Sequence, residues 1–92
     1  MKITKETEDM LLAKNIICFN FTQEELLIYL LKNHNLFVYV EPDFRFKDWC
    51  HTEFVLWEEK SGSMGYHYST YEEALEEGLQ KLIIRIKKDE KE

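Results

Sequence analysis

Apolar positions recur at helical spacing in three places along the chain. The first is residues 4–15, where Met10, Leu11 and Leu12 form the apolar side, Thr4 stands at the start and Lys14-Asn15 suits the exit. The second runs from Gln23 to about His34. Thr22 can cap it, and Glu25 is placed to complete a capping box, each side chain serving the other's backbone N–H. Phe21 and Leu26 stand where a hydrophobic staple would place them, and apolar residues almost encircle this helix, which predicts burial on more than one side. The third carries a continuous stripe of Tyr71, Ala74, Leu75, Gly78, Leu79, Leu82, Ile83 and Ile86. Thr70 caps it and Glu73 fits a second capping box. Glutamates crowd its first turns and Lys81, Arg85, Lys87 and Lys88 its end, which opposes the helix macrodipole at both termini.

Between the second and third helical patterns the period changes to two. Leu36-Phe37-Val38-Tyr39-Val40 is rich in β-branched and aromatic residues, and Pro42 marks its stop. Asp43 to Cys50 reads as an irregular aromatic stretch. Thr52 to Glu59 predicts a second strand, Lys60-Ser61-Gly62-Ser63 a hairpin turn, and Met64 to Tyr68 a returning third strand. The expected fold is an α+β two-layer sandwich: a three-stranded antiparallel meander with helices on one face, in the order α-α-β-β-β-α. No repeat or Pro- or Gly-rich linker interrupts the chain, so residues 1–92 read as one domain with a frayed tail at 88–92.

Composition narrows the function classes. Eighteen acidic residues against 12 Lys and Arg give a formal net charge of −6, which speaks against a general nucleic-acid binder. Double-stranded RNA binding is excluded on sharper grounds. An αβββα order suits such domains, yet the helix start that would need lysines reads Tyr71-Glu72-Glu73-Ala74-Leu75-Glu76-Glu77. No apolar run approaches the ~20 residues needed to cross a bilayer, and the acidic N-terminus does not read as a signal peptide. Cys18 and Cys50 then read as reduced thiols of a cytoplasmic protein, a single long-range disulfide being the alternative.

Enzyme chemistry finds no foothold. There is no Gly-rich phosphate loop and no nucleophile elbow. Cys50 and His51 are neighbours on a strand and point to opposite faces, a poor thiolate–imidazole pair. His34, His67, His51 and the two cysteines show no local pair that would begin a zinc site. No cofactor, metal ligand set or catalytic residue is therefore expected.

Two surfaces are candidates for binding a partner. Phe44-Arg45-Phe46-Lys47-Asp48-Trp49 interleaves aromatic and basic residues. The structural reading packs Phe44 and Phe46 inward along a strand with Arg45 and Lys47 solvated. If exposed, Phe44, Arg45, Phe46 and Trp49 are the best protein-binding hot spot, and weak single-stranded nucleic-acid binding through residues 44–49 is a further alternative. Glu58, Glu59, Glu72, Glu73, Glu76 and Glu77 form the second candidate, an acidic patch across a strand end and a helix start. Macrodipole compensation and solubility account for the helix acids, while the functional reading is electrostatic steering toward a basic partner.

Three segments, LLKNHNLFVYVEP, DWCHTEFVLWEE and STYEEALEEGLQKLIIRIKK, carry a resemblance. Over residues 22–88 the chain resembles a family of small, uncharacterised proteins encoded in phages and prophages of gut anaerobic bacteria. The resemblance brings no activity and no catalytic residues. It implies a phage or mobile-element accessory protein in a bacterial cytoplasm, a class that includes inhibitors of host or defence proteins. The expected function is thus a small acidic, non-enzymatic protein-binding module. A structural or accessory homo-oligomer, such as a homodimer built on residues 44–49, is the alternative.

Overall fold

The computed structural model describes residues 1–17, 20–45, 47–55 and 67–86, with three helices and one pair of strands. Helix α1 spans Lys5–Ala13, α2 Gln23–His34 and α3 Tyr71–Arg85; strand β1 spans Leu36–Asp43 and β2 Asp48–Val55. Each helix begins on a threonine whose hydroxyl accepts a backbone N–H: Thr4 from Thr7, Thr22 from Glu25 and Thr70 from Glu73. The capping box at α2 is complete, with the Glu25 carboxylate accepting the Thr22 N–H at 2.9 Å. At α3 the Glu73 carboxylate reaches one residue further back instead, to the N–H and hydroxyl of Ser69. Asn35 ends α2 in the left-handed region, at φ 56°.

The sheet departs from the expected meander. Among the described residues it has two antiparallel strands, in the chain order α-α-β-β-α. The ladder runs from Leu36 opposite Val55 to Asp43 opposite Asp48. Of the expected third strand, residues 64–66 lie outside the described residues, as does the expected turn at 60–63. Tyr68 makes a single bridge with Trp49, donating and accepting at 2.8 and 2.9 Å. The connection after β1, expected as an irregular stretch from Asp43 to Cys50, is a tight turn, and β2 starts at Asp48 and not at Thr52. Asp43 starts the turn: its carboxylate accepts the Arg45 N–H at 3.1 Å, and its carbonyl accepts the Lys47 N–H at 2.8 Å. Lys47 takes the left-handed conformation (φ 58°) that a glycine would more commonly supply. Pro42 stays within β1 because a strand edge tolerates the missing N–H.

Leu36 and Val38 carry the inner face of β1 into one core cluster with Leu26 and Leu30 of α2 and Leu75, Leu79, Leu82 and Ile83 of α3. Leu11 and Ile3 close that cluster from the N-terminal side. Residues 1–3 run alongside residues 21–23, where Ile3 N–H donates to Phe21 and the first N–H of α2, on Gln23, donates to Met1. α3 passes close over the ribbon at Gly78, where a Cβ would stand 2.6 Å from Val38 Cγ2 and 3.3 Å from His51 Cγ. Only a residue without a side chain lets α3 lie this near the ribbon. Tyr71, expected in the buried stripe, is 44% exposed at the helix start.

Candidate functional site

Among the described residues the fold gathers carboxylates in two places, and they differ in kind. The first lies where the three helices meet. Glu76 of α3, 6% exposed, receives hydrogen bonds from the Thr4 backbone N–H at 2.8 Å, the Thr4 hydroxyl at 2.9 Å, the Thr7 hydroxyl, and Gln23 Nε2 at 2.9 Å. Gln80, one turn further along α3, donates to Thr7 Oγ1 at 2.9 Å, and Gln23 also donates to the Glu72 carbonyl at 3.0 Å. Burial alone would raise the Glu76 pKa. The four donated hydrogen bonds outweigh it and hold the carboxyl below its ordinary value of 4.5. Its position at the starts of α1 and α2 adds favourable dipoles.

The acidic patch is corrected accordingly. Glu76 is a buried structural anion, not a surface charge, while Glu72, Glu73 and Glu77 remain exposed on the first turns of α3. They border a groove of about 390 Å³ between the starts of α1 and α3, to which Glu6 also contributes. Glu58 and Glu59 lie outside the described residues.

The second cluster is at the turn end of the hairpin. Phe44 does not pack inward; it is 85% exposed on the turn. Arg45 is exposed and grips Asp43, with Nε 3.2 Å from Oδ1 and Nη2 3.3 Å from Oδ2. That hydrogen-bonded guanidinium holds the Asp43 carboxyl below its usual range. Phe46 lies outside the described residues. Trp49 is half-buried, its ring edge-on to Tyr71 at 5.6 Å between centroids. The bridge from Trp49 to Tyr68 brings in His67, whose Nδ1 is 2.8 Å from Asp48 Oδ1 and 3.8 Å from Asp43 Oδ2.

The remaining candidates fall on opposite faces of β2. His51 is fully buried beneath α3, stacked on the Tyr68 ring at 5.6 Å, with Nε2 3.5 Å from the Tyr68 hydroxyl. Cys50 is a buried free thiol facing the Glu41 carbonyl at 3.8 Å. Burial pushes the Cys50 pKa up, and the neighbouring Glu41, Asp43 and Asp48 charges push the same way, which makes it a poor nucleophile. Cys18 lies outside the described residues. Half-buried His34, at the end of α2, has its pKa lowered by burial.

Asp43 and Asp48 were not singled out by sequence reasoning, nor was their meeting with His67. The signal that could have found them is the spacing of two aspartates across a four-residue turn, which places them opposite each other once the ladder is known. Among the described residues no helix is long and apolar enough to cross a membrane. Comparison with known proteins found no matching family model, curated protein or solved structure.

Proposed function

We propose that the chain is a small, non-enzymatic protein-binding module whose contact surface is the turn end of the β1–β2 hairpin. The observation that carries this reading is Phe44, a large aromatic side chain 85% exposed just after β1. The Asp43 carboxylate and carbonyl hold the N–H groups of Arg45 and Lys47, which limits the backbone freedom of those two residues. An exposed aromatic beside an arginine is the composition favoured at interface hot spots. Docking Phe44 into an apolar pocket would remove most of its surface from water, a gain of about 2 kcal/mol. The resemblance to phage and prophage proteins supports a bacterial cytoplasmic setting, with a host or defence protein as the partner.

The test is affinity capture from bacterial host cells with the tagged wild type and with Phe44→Ala, alongside light scattering over a range of concentrations. A partner retained by the wild type and lost with F44A, from a monomeric bait, is the expected outcome. Capture unaffected by F44A contradicts the assigned surface. Self-association that F44A abolishes would assign it to a homodimer instead.

A further inference from the structure

A like-charged pair of carboxylates directly opposite each other in an antiparallel ladder is unfavourable, and the hairpin ends on such a pair. Asp43 and Asp48 nevertheless close the ladder, and His67 arrives between them from the segment leading into α3. One oxygen from each aspartate and one imidazole nitrogen lie within 4.8 Å of one another. Three donors around one tetrahedral ion with bonds of about 2.1 Å would stand roughly 3.4 Å apart. Asp48 Oδ1 and His67 Nδ1 at 2.8 Å, and Asp43 Oδ2 and His67 Nδ1 at 3.8 Å, bracket that separation. Side-chain adjustments of about an ångström would bring them onto it.

We propose that Asp43, Asp48 and His67 form a binding site for one divalent transition-metal ion, of which zinc fits the donor set best. The inference goes beyond the protein-binding reading and does not depend on it. Two carboxylate oxygens and an imidazole nitrogen suit a borderline ion; a purely hard ion such as magnesium would favour an all-oxygen shell. His67 supplies Nδ1, and the imidazole then carries its hydrogen on Nε2. Arg45 bonds Asp43 through both oxygens and so competes with the ion at Oδ2; release of its Nη2 contact would leave the Nε contact to Oδ1 in place. The three ligands come from the two sides of the turn and from the strand-like segment before α3. A bound ion would therefore tie the hairpin to the start of that helix.

The experiment is calorimetric titration of chelator-treated, reduced protein with zinc chloride, on the wild type, Asp48→Asn, His67→Gln and Arg45→Ala, with circular dichroism to show that each variant is folded. The expected result is one ion per chain, at least about tenfold weaker binding in D48N and H67Q, and undiminished or tighter binding in R45A. Cobalt substitution should give visible d–d bands without a thiolate charge-transfer band. Absence of saturable uptake by the wild type, uptake unchanged in D48N and H67Q, or a thiolate band would each overturn the assignment.

Discussion

The helix junction and the hairpin turn both concentrate carboxylates, and the contrast between them separates stability from recognition. At the junction, Glu76 is 6% exposed and every donor around it comes from another element: Thr4 and Thr7 from the start of α1, Gln23 from the start of α2. At the turn, half-buried Asp43 and Asp48 have partners of their own in Arg45 and His67, whose side chains are exposed, so these ion pairs contribute little to folding. A buried anion that satisfies several donors has no spare capacity for a ligand. A half-buried pair whose partners are exposed side chains can exchange one of them for a ligand.

That contrast can be broken most decisively at Glu76. Glu76→Ala leaves the Thr7 hydroxyl, the Gln23 amide and the Thr4 N–H without their acceptor, and should cost about 3 kcal/mol in urea unfolding. A loss under about 1 kcal/mol would mean that the junction is not a structural hub. Gly78→Ala is the next largest expected effect. Better helix propensity favours alanine by ~1 kcal/mol, yet its Cβ would meet Val38 Cγ2, a packed β-branched side chain, at 2.6 Å. Overpacking of this kind typically costs ~1–3 kcal/mol, so the net change should be a destabilisation of about 1 kcal/mol, visible as a lowered Tm. At the other region, Phe44→Ala should change stability by less than about 0.5 kcal/mol while abolishing partner capture. A large fall in Tm for F44A would show that the turn is part of the core.

How much of this could be read from the residues follows the same division. The helices were legible because local chemistry decides them: Thr22 and Glu25 close a capping box at α2, and Leu75, Leu79, Leu82 and Ile83 keep a helical period through α3. The sheet was less so. The stretch from Asp43 to Cys50 reads as irregular because its turn is made by Asp43 and a left-handed Lys47 and carries no glycine, yet β2 begins there at Asp48. Glu76 was misplaced for a different reason. Composition groups it with Glu72, Glu73 and Glu77, but its burial comes from α1 and α2 crossing over that flank of α3, a tertiary fact. Gln80 one turn along, uncharged and on the same flank, was the one local hint. The meeting of His67 with Asp43 and Asp48 depends on the ladder register and on the Trp49–Tyr68 bridge, which periodicity does not supply.

The most direct test of the central claim is urea unfolding of the wild type and Glu76→Gln from pH 7 down to pH 3. Glutamine offers one acceptor oxygen where the junction needs two, and its amide would face the N–H of Thr4 or the amide of Gln23. The folded-state pKa of Glu76 lies below its unfolded value, so the stabilisation is complete above that unfolded value and disappears as pH falls through the folded one. The stability difference between wild type and E76Q should therefore be largest near neutral pH and shrink in acid below about pH 4.5. A difference that stays constant across that range, or grows as the pH falls, would contradict an ionised Glu76 at the meeting point of the three helices.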